Sequence, residues 1–117
     1  MMIVPAGVKV HLAVGVTDMR KGMDGLAALV QETLHKDPFS GHLFCFRGRK
    51  ASMLKILFWD GTGLCLFSKR IDQGGFTWPR LTEPDKTIAL SPGQLAMLIE
   101  GIDWRTPEKV WRPAKAG

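Results

Sequence analysis

The sequence predicts an α+β domain: a mainly antiparallel sheet with one long and one short helix, in the order β-α-β-β-β-β-β-α. Three observations predict it. A stretch of period-two hydrophobicity near the N-terminus passes directly into one of helical period. Three β-rich runs then follow with connections short enough only for antiparallel neighbours. A Ser-Pro helix start precedes the last apolar segment.

Taken in order, Val8, Val10, Leu12 and Val14 alternate with Lys9, His11 and Ala13, the pattern of a half-buried strand that Gly15 is expected to end. Thr17 or Asp18 is suited to cap the helix that follows. Its apolar stripe is Met19, Met23, Leu26, Val30, Thr33 and Leu34, running to about His35 before Asp37-Pro38 stops it. Gly22 and Gly25 fall inside this helix, and close approach to the sheet would account for them. Strands are expected at residues 42–47, 53–59 and 64–70, separated by a basic turn at 48–52 and by Asp60-Gly61-Thr62-Gly63. A short fourth strand at 76–78 follows Gly74-Gly75, and another is expected at 87–90. Ser91 caps a short helix over residues 94–100, and Gly101 ends it. The central strands are apolar on both faces: Leu54, Ile56 and Phe58 on one, Leu57 and Trp59 with Lys55 on the other. Both faces of the sheet should therefore be covered, the second by the C-terminal helix, a partner chain or a ligand.

The 117 residues fit one domain, read as residues 1–104, with a basic tail over 105–117 carrying Arg105, Lys109, Arg112 and Lys115. Sixteen Lys and Arg against eleven Asp and Glu give a net charge of +5, a balance that favours polyanionic partners. Cys45 and Cys65 each lie in an apolar run and form no C-x-x-C pair, which excludes a zinc ribbon and points to free core thiols in a reducing compartment. Lys9 and His11 interrupt the N-terminal apolar stretch, so it does not read as a signal peptide, and no run of about 18 apolar residues suggests a membrane span. The expectation is a cytoplasmic protein with no cofactor.

Catalytic constellations are weak. Asp18, Asp24, Asp60 and Glu100 would have to converge to clamp divalent ions as in a nuclease, but a cap, a helix dipole and a turn explain the three aspartates separately. His11, His35 and His42 have no ligand spacing. Gly61-Thr62-Gly63 lacks the flanks of a phosphate loop. The basic groups carry more: Arg47, Arg49 and Lys50 around a hairpin tip, Arg20 and Lys21 at a helix start, Lys55 on a strand, and Lys69 and Arg70 at a strand end. Such a set can reach phosphates, with Trp59 and Trp78 as stacking surface or as core.

Residues 15–30 (Gly-Val-Thr-Asp-Met-Arg-Lys-Gly-Met-Asp-Gly-Leu-Ala-Ala-Leu-Val), 37–47 and 54–63 resemble the small accessory protein, often called TnpB, of bacterial insertion sequences of the 66 family. Residues 71–79 and 98–104 match as well, so the resemblance spans roughly residues 4–104. It is distinct from the RNA-guided nucleases that share the TnpB name. The family's characteristic positions here are Asp18, Met19, Arg20, Lys21, Phe39, Gly41, Arg47, Lys55, Trp59, Asp60 and Trp78. His11 stands where relatives often carry an aromatic residue, and Met23 where Phe is common.

The resemblance implies a non-catalytic helper in transposition, acting beside a larger element-encoded transposase that carries the acidic residues. Two modes of action follow. In one, Arg20, Lys21, Arg47, Arg49, Lys50, Lys55, Lys69 and Arg70 contact element DNA. In the other, Trp59, Trp78 and Trp104 contact the transposase or a second copy of the chain, as a homodimer, without touching DNA.

Overall fold

The elements follow as β1 (Val10–Val16), α1 (Met23–Glu32), β2 (Leu43–Arg47), β3 (Met53–Trp59), β4 (Leu64–Arg70), β5 (Thr87–Leu90) and α2 (Pro92–Ile99) in a computed structural model that describes residues 4–80 and 83–105. The five strands form one sheet in the order β4-β3-β2-β1-β5. β1 and β2 are parallel, joined through α1, and the other neighbours are antiparallel. The α+β class holds, and the elements come in the expected order with one strand fewer. The parallel pair arises because α1 is long enough to carry the chain back across the sheet.

Each face of the sheet has its own core. On one face Leu26, Ala27 and Val30 of α1, with Leu34 just after it, pack against Ala13, Phe44, Phe46 and Leu57. On the other, Leu95, Leu98 and Ile99 of α2, with Phe76, Trp78 and Trp104, cover Val10, Leu12, Leu43, Cys45, Leu54 and Ile56. The C-terminal helix is thus what covers the second face. It starts at Ser91, whose hydroxyl accepts from the Gln94 N–H while the Gln94 side chain accepts from the Ser91 N–H, a reciprocal capping box. Gly101, at φ +78°, closes the other end.

Several sequence expectations change. Residues 76–78 are not a strand. Phe76 and Trp78 turn into the core, and Ala51 O accepts from both the Phe76 N–H at 2.9 Å and the Trp78 indole N–H at 3.3 Å. β1 does not stop at Gly15 but runs through it. Residue 84 crosses there so closely that a Cβ on Gly15 would lie 2.6 Å from Pro84 Cα.

α1 begins at Met23, with Gly22 rather than Thr17 or Asp18 as its N-cap. It ends at Glu32 because His35 takes the left-handed conformation (φ 56°) and the Lys36 N–H reaches back to Val30 O. Neither glycine brings α1 closer to the sheet: Gly22 faces open space, and a Cβ on Gly25 would meet only the Lys21 side chain. Cys45 is buried, and burial pushes its thiol up to about 12, whereas Cys65 is only half-buried. Among the described residues no helix is long and apolar enough to cross a membrane. Of the basic tail only Arg105 lies within the described residues, in an ion pair with Asp103 at 3.1 Å.

Candidate nucleic-acid interface

β1 and β2 are parallel, so their C-terminal ends emerge side by side. The Thr17 N–H donates to Arg47 O at 2.8 Å, extending the pairing by one bond past β1. The segment after β1 and the tip between β2 and β3 then face each other across a cleft of about 520 Å³, lined by Val16 to Arg20, Gly48 to Lys50 and Met53. Its floor is apolar. A Cβ on Gly48 would meet Met19 Cγ at 2.7 Å and Met53 Cβ at 3.2 Å, so only glycine lets the two segments close.

The tip is braced from the opposite side as well. Ser52 O accepts from the Ile71 N–H at 2.9 Å, and Ala51 O holds residues 76–78 as described. Gly75 lies against Ala51, where a Cβ would come within 2.9 Å. The five residues of the turn, 48–52, are therefore clamped between two other parts of the chain.

Around this cleft the cations sort into two groups. Arg20, Arg49 and Lys50 line it and are exposed, and Lys21 is exposed next to it. Arg70 is exposed at the same end of the sheet, opposite Met53. Arg20 is oriented by Asp18: Nε and Nη2 donate to the carboxylate at 3.0 and 2.8 Å. The Arg20 bonds hold the Asp18 carboxyl well below the usual carboxylate range, so it stays ionised.

The second group is turned toward the fold. Lys55 Nζ donates to Lys21 O at 2.9 Å, tying the segment before α1 to β3. Lys69 Nζ donates to Ile99 O at 2.8 Å, at the negative end of α2. Arg47 lies on the α2 face with its guanidinium carbon 5.6 Å from the Trp78 ring centroid, and its buried Nε has no acceptor among the described residues.

The three tryptophans singled out in the sequence also separate. Trp78 and Trp104 are core residues, 9% and 5% exposed, and the Trp104 indole N–H donates to Thr77 O at 2.7 Å. Neither can meet a partner without opening the core. Trp59 is half-buried at the other end of the sheet, edge-on to Phe39 with ring centroids 5.7 Å apart. Phe39 is 49% exposed. An apolar cleft of about 470 Å³ lies beside them, lined by Pro5, Val8, Leu43, Phe58 and Trp59 among others. The sequence reading missed Phe39 as an exposed aromatic and Met19, Gly48 and Met53 as the cleft floor. The Gly48 signal was present, as a glycine beside three cations.

The carboxylates do not gather. Asp18 is taken up by Arg20, and Asp60 caps its own turn, accepting from the Thr62 and Gly63 N–H groups at 2.9 Å each, which hold its carboxyl near 2. Among the described residues no three His, Cys, Asp or Glu side chains are placed to hold a metal ion. His11 and His42 do meet, edge to face at 5.9 Å, and His11 stacks on Phe44 at 5.2 Å. His42 Nδ1 accepts from the Lys9 N–H, which gives that nitrogen a structural role.

Residues 8–109 match the profile of the family described as IS66 Orf2 like protein. Similar relatives include two proteins of Sinorhizobium fredii (strain NBRC 101917 / NGR234). Uncharacterized protein y4hO is 50% identical over 98% of this chain and 100% of its own. Uncharacterized protein y4jC is 36% identical over 97% and 98%. No solved structure matches the chain. With the profile spanning nearly every element of the fold, the chain belongs to the IS66 Orf2-like family, which is associated with insertion-sequence transposition.

Proposed function

We propose that the protein is a non-catalytic accessory factor for transposition that contacts element DNA through its braced basic tip. The observation that carries this reading is the meeting of Arg20 with Arg49 and Lys50 across one cleft, from segments about thirty positions apart in sequence. Lys21 and Arg70 extend the same cationic end. Arg and Lys on a rigid projection neutralise phosphates and fix orientation on a duplex, and the element-encoded transposase then acts on DNA so marked. Binding of a labelled terminal-end duplex of the element, compared with a scrambled duplex, tests the reading. A preference for the terminal sequence supports a site-reading cofactor, and absence of binding at low salt rejects the DNA contact.

A second reading, protein contact with the transposase and no contact with DNA, is favoured by the Phe39–Trp59 pair beside its apolar cleft. Trp59→Ala abolishing retention by the transposase, with DNA binding absent from the wild-type chain, would select it.

A further inference from the structure

The sheet ends in two unlike edges. β5 is four residues long and is followed within two residues by Pro92, a short edge of the kind that resists further pairing. β4 is seven residues long, and all seven pair with β3 in continuous register. It has no proline and no bulge. Its lysine does not guard the edge, because Lys69 Nζ is drawn to Ile99 O. Among the described residues no strand lies on the outer side of β4.

Two bonds fix the phase of this edge. The Asp60 N–H donates to Gly63 O at 3.0 Å, and the Ile71 N–H to Ser52 O at 2.9 Å, at the two ends of the β3–β4 ladder. Alternation along an antiparallel pair then directs the main-chain groups of Cys65, Phe67 and Lys69 toward β3. Those of Leu64, Leu66, Ser68 and Arg70 point outward, in a regular row of donors and acceptors that pair with no strand among the described residues.

We propose that two copies of the chain pair along β4, antiparallel, about a two-fold axis at Phe67, to form a continuous ten-stranded sheet. This register places Leu64 opposite Arg70 of the second copy and Leu66 opposite its Ser68, so every outward-facing residue of one edge meets one of the other. The patch is self-complementary, as a two-fold interface requires. Charge selects the antiparallel sense: Lys69 and Arg70 of the two copies fall at opposite ends of the seam, where a parallel pairing would set them side by side.

The side chains at the seam agree. Leu64 and Leu66 border the α1-face core and Phe67 borders the α2-face core, all three only partly buried. Pairing carries both cores across the seam. The two basic tips lie at opposite ends of the joined sheet, and the pairing stands whether or not they bind DNA.

Sedimentation of the full chain across a concentration series tests the pairing, alongside Leu66→Pro and Ser68→Pro. Each proline deletes an outward donor and leaves the β3–β4 bonds in place. The wild-type mass should rise from 13.0 kDa toward twice that value. Each variant should self-associate about tenfold more weakly or worse, because both copies lose a donor at the seam. Ser68 is exposed, so Ser68→Pro decides the matter where Leu66→Pro does not fold. A wild-type chain that stays monomeric at every concentration, or a dimer that persists in the folded proline variants, overturns the proposal.

Discussion

A Cβ on Gly48 would stand 2.7 Å from Met19 Cγ, so the tip between β2 and β3 seats directly on the methionine that follows β1. Gly48→Ala should therefore destabilise the protein by about 1–3 kcal/mol through overpacking. Adding Met19→Ala should recover part of that loss, because it removes the atom in the way. Urea unfolding of the two single variants and the double variant measures the coupling. Strict additivity would mean that the two segments do not touch in solution.

Lys69 and Lys55 are predicted to act on stability and not on DNA. Lys69→Met removes a charge-assisted bond to the last turn of α2, and Lys55→Met removes one to the segment before α1. Each should cost roughly 1 kcal/mol. Urea midpoints should fall for both, while DNA affinity at fixed salt should change far less than for Arg49→Glu.

Ser91→Ala breaks the capping box that starts α2, the helix covering half the core. A loss of about 1 kcal/mol is expected. Ser91→Asp should keep most of the stability, since an aspartate accepts the same N–H. Thermal unfolding of the pair distinguishes a capping role from simple truncation.

His11 introduces a pH dependence. Burial lowers its pKa, and the neighbouring Lys36, His42 and Lys9 lower it further. The unfolded chain therefore takes up the His11 proton first, at about pH 6.5. Stability linked to this group is full above that pH and falls as the pH drops toward the lower folded value. His11→Phe, which keeps the stack on Phe44, should flatten stability between pH 7.5 and 5 relative to the wild-type chain. An unchanged slope would show that His11 does not titrate differently on folding.

Local chemistry made several elements readable. The bounds of β3, β4 and β5 came through β-rich runs bounded by turn residues, and the start of α2 through Ser91-Pro92. What escaped depended on contacts distant in sequence. Asp18 has the residue type of a helix cap, yet its carboxylate binds Arg20 two positions on, and Thr17 still belongs to the sheet through Arg47. Phe76 and Trp78 have strand-forming side chains, but their polar hydrogens share one carbonyl at Ala51 and give no ladder. His35 takes a backbone conformation normally left to glycine or asparagine, so nothing local marked the end of α1.

The candidate interface was legible as a set of cations and not as a site. Composition cannot say that Lys55 and Lys69 tie the fold together while Arg47 lies against Trp78, or that Arg20 lines one cleft with Arg49 and Lys50. That meeting follows from the parallel β1–β2 pair, which only the topology supplies.

The salt dependence of DNA binding tests the central claim most directly. Affinity for a duplex should fall linearly on a log–log plot, with a slope of about −0.9 per phosphate neutralised. The triple variant Arg20→Glu, Arg49→Glu, Lys50→Glu should bind far more weakly, with a slope shallower by about two to three, while Lys55→Met keeps the wild-type slope. A triple variant that folds and retains both the affinity and the slope of the wild-type chain would contradict the assignment of this tip as the DNA contact.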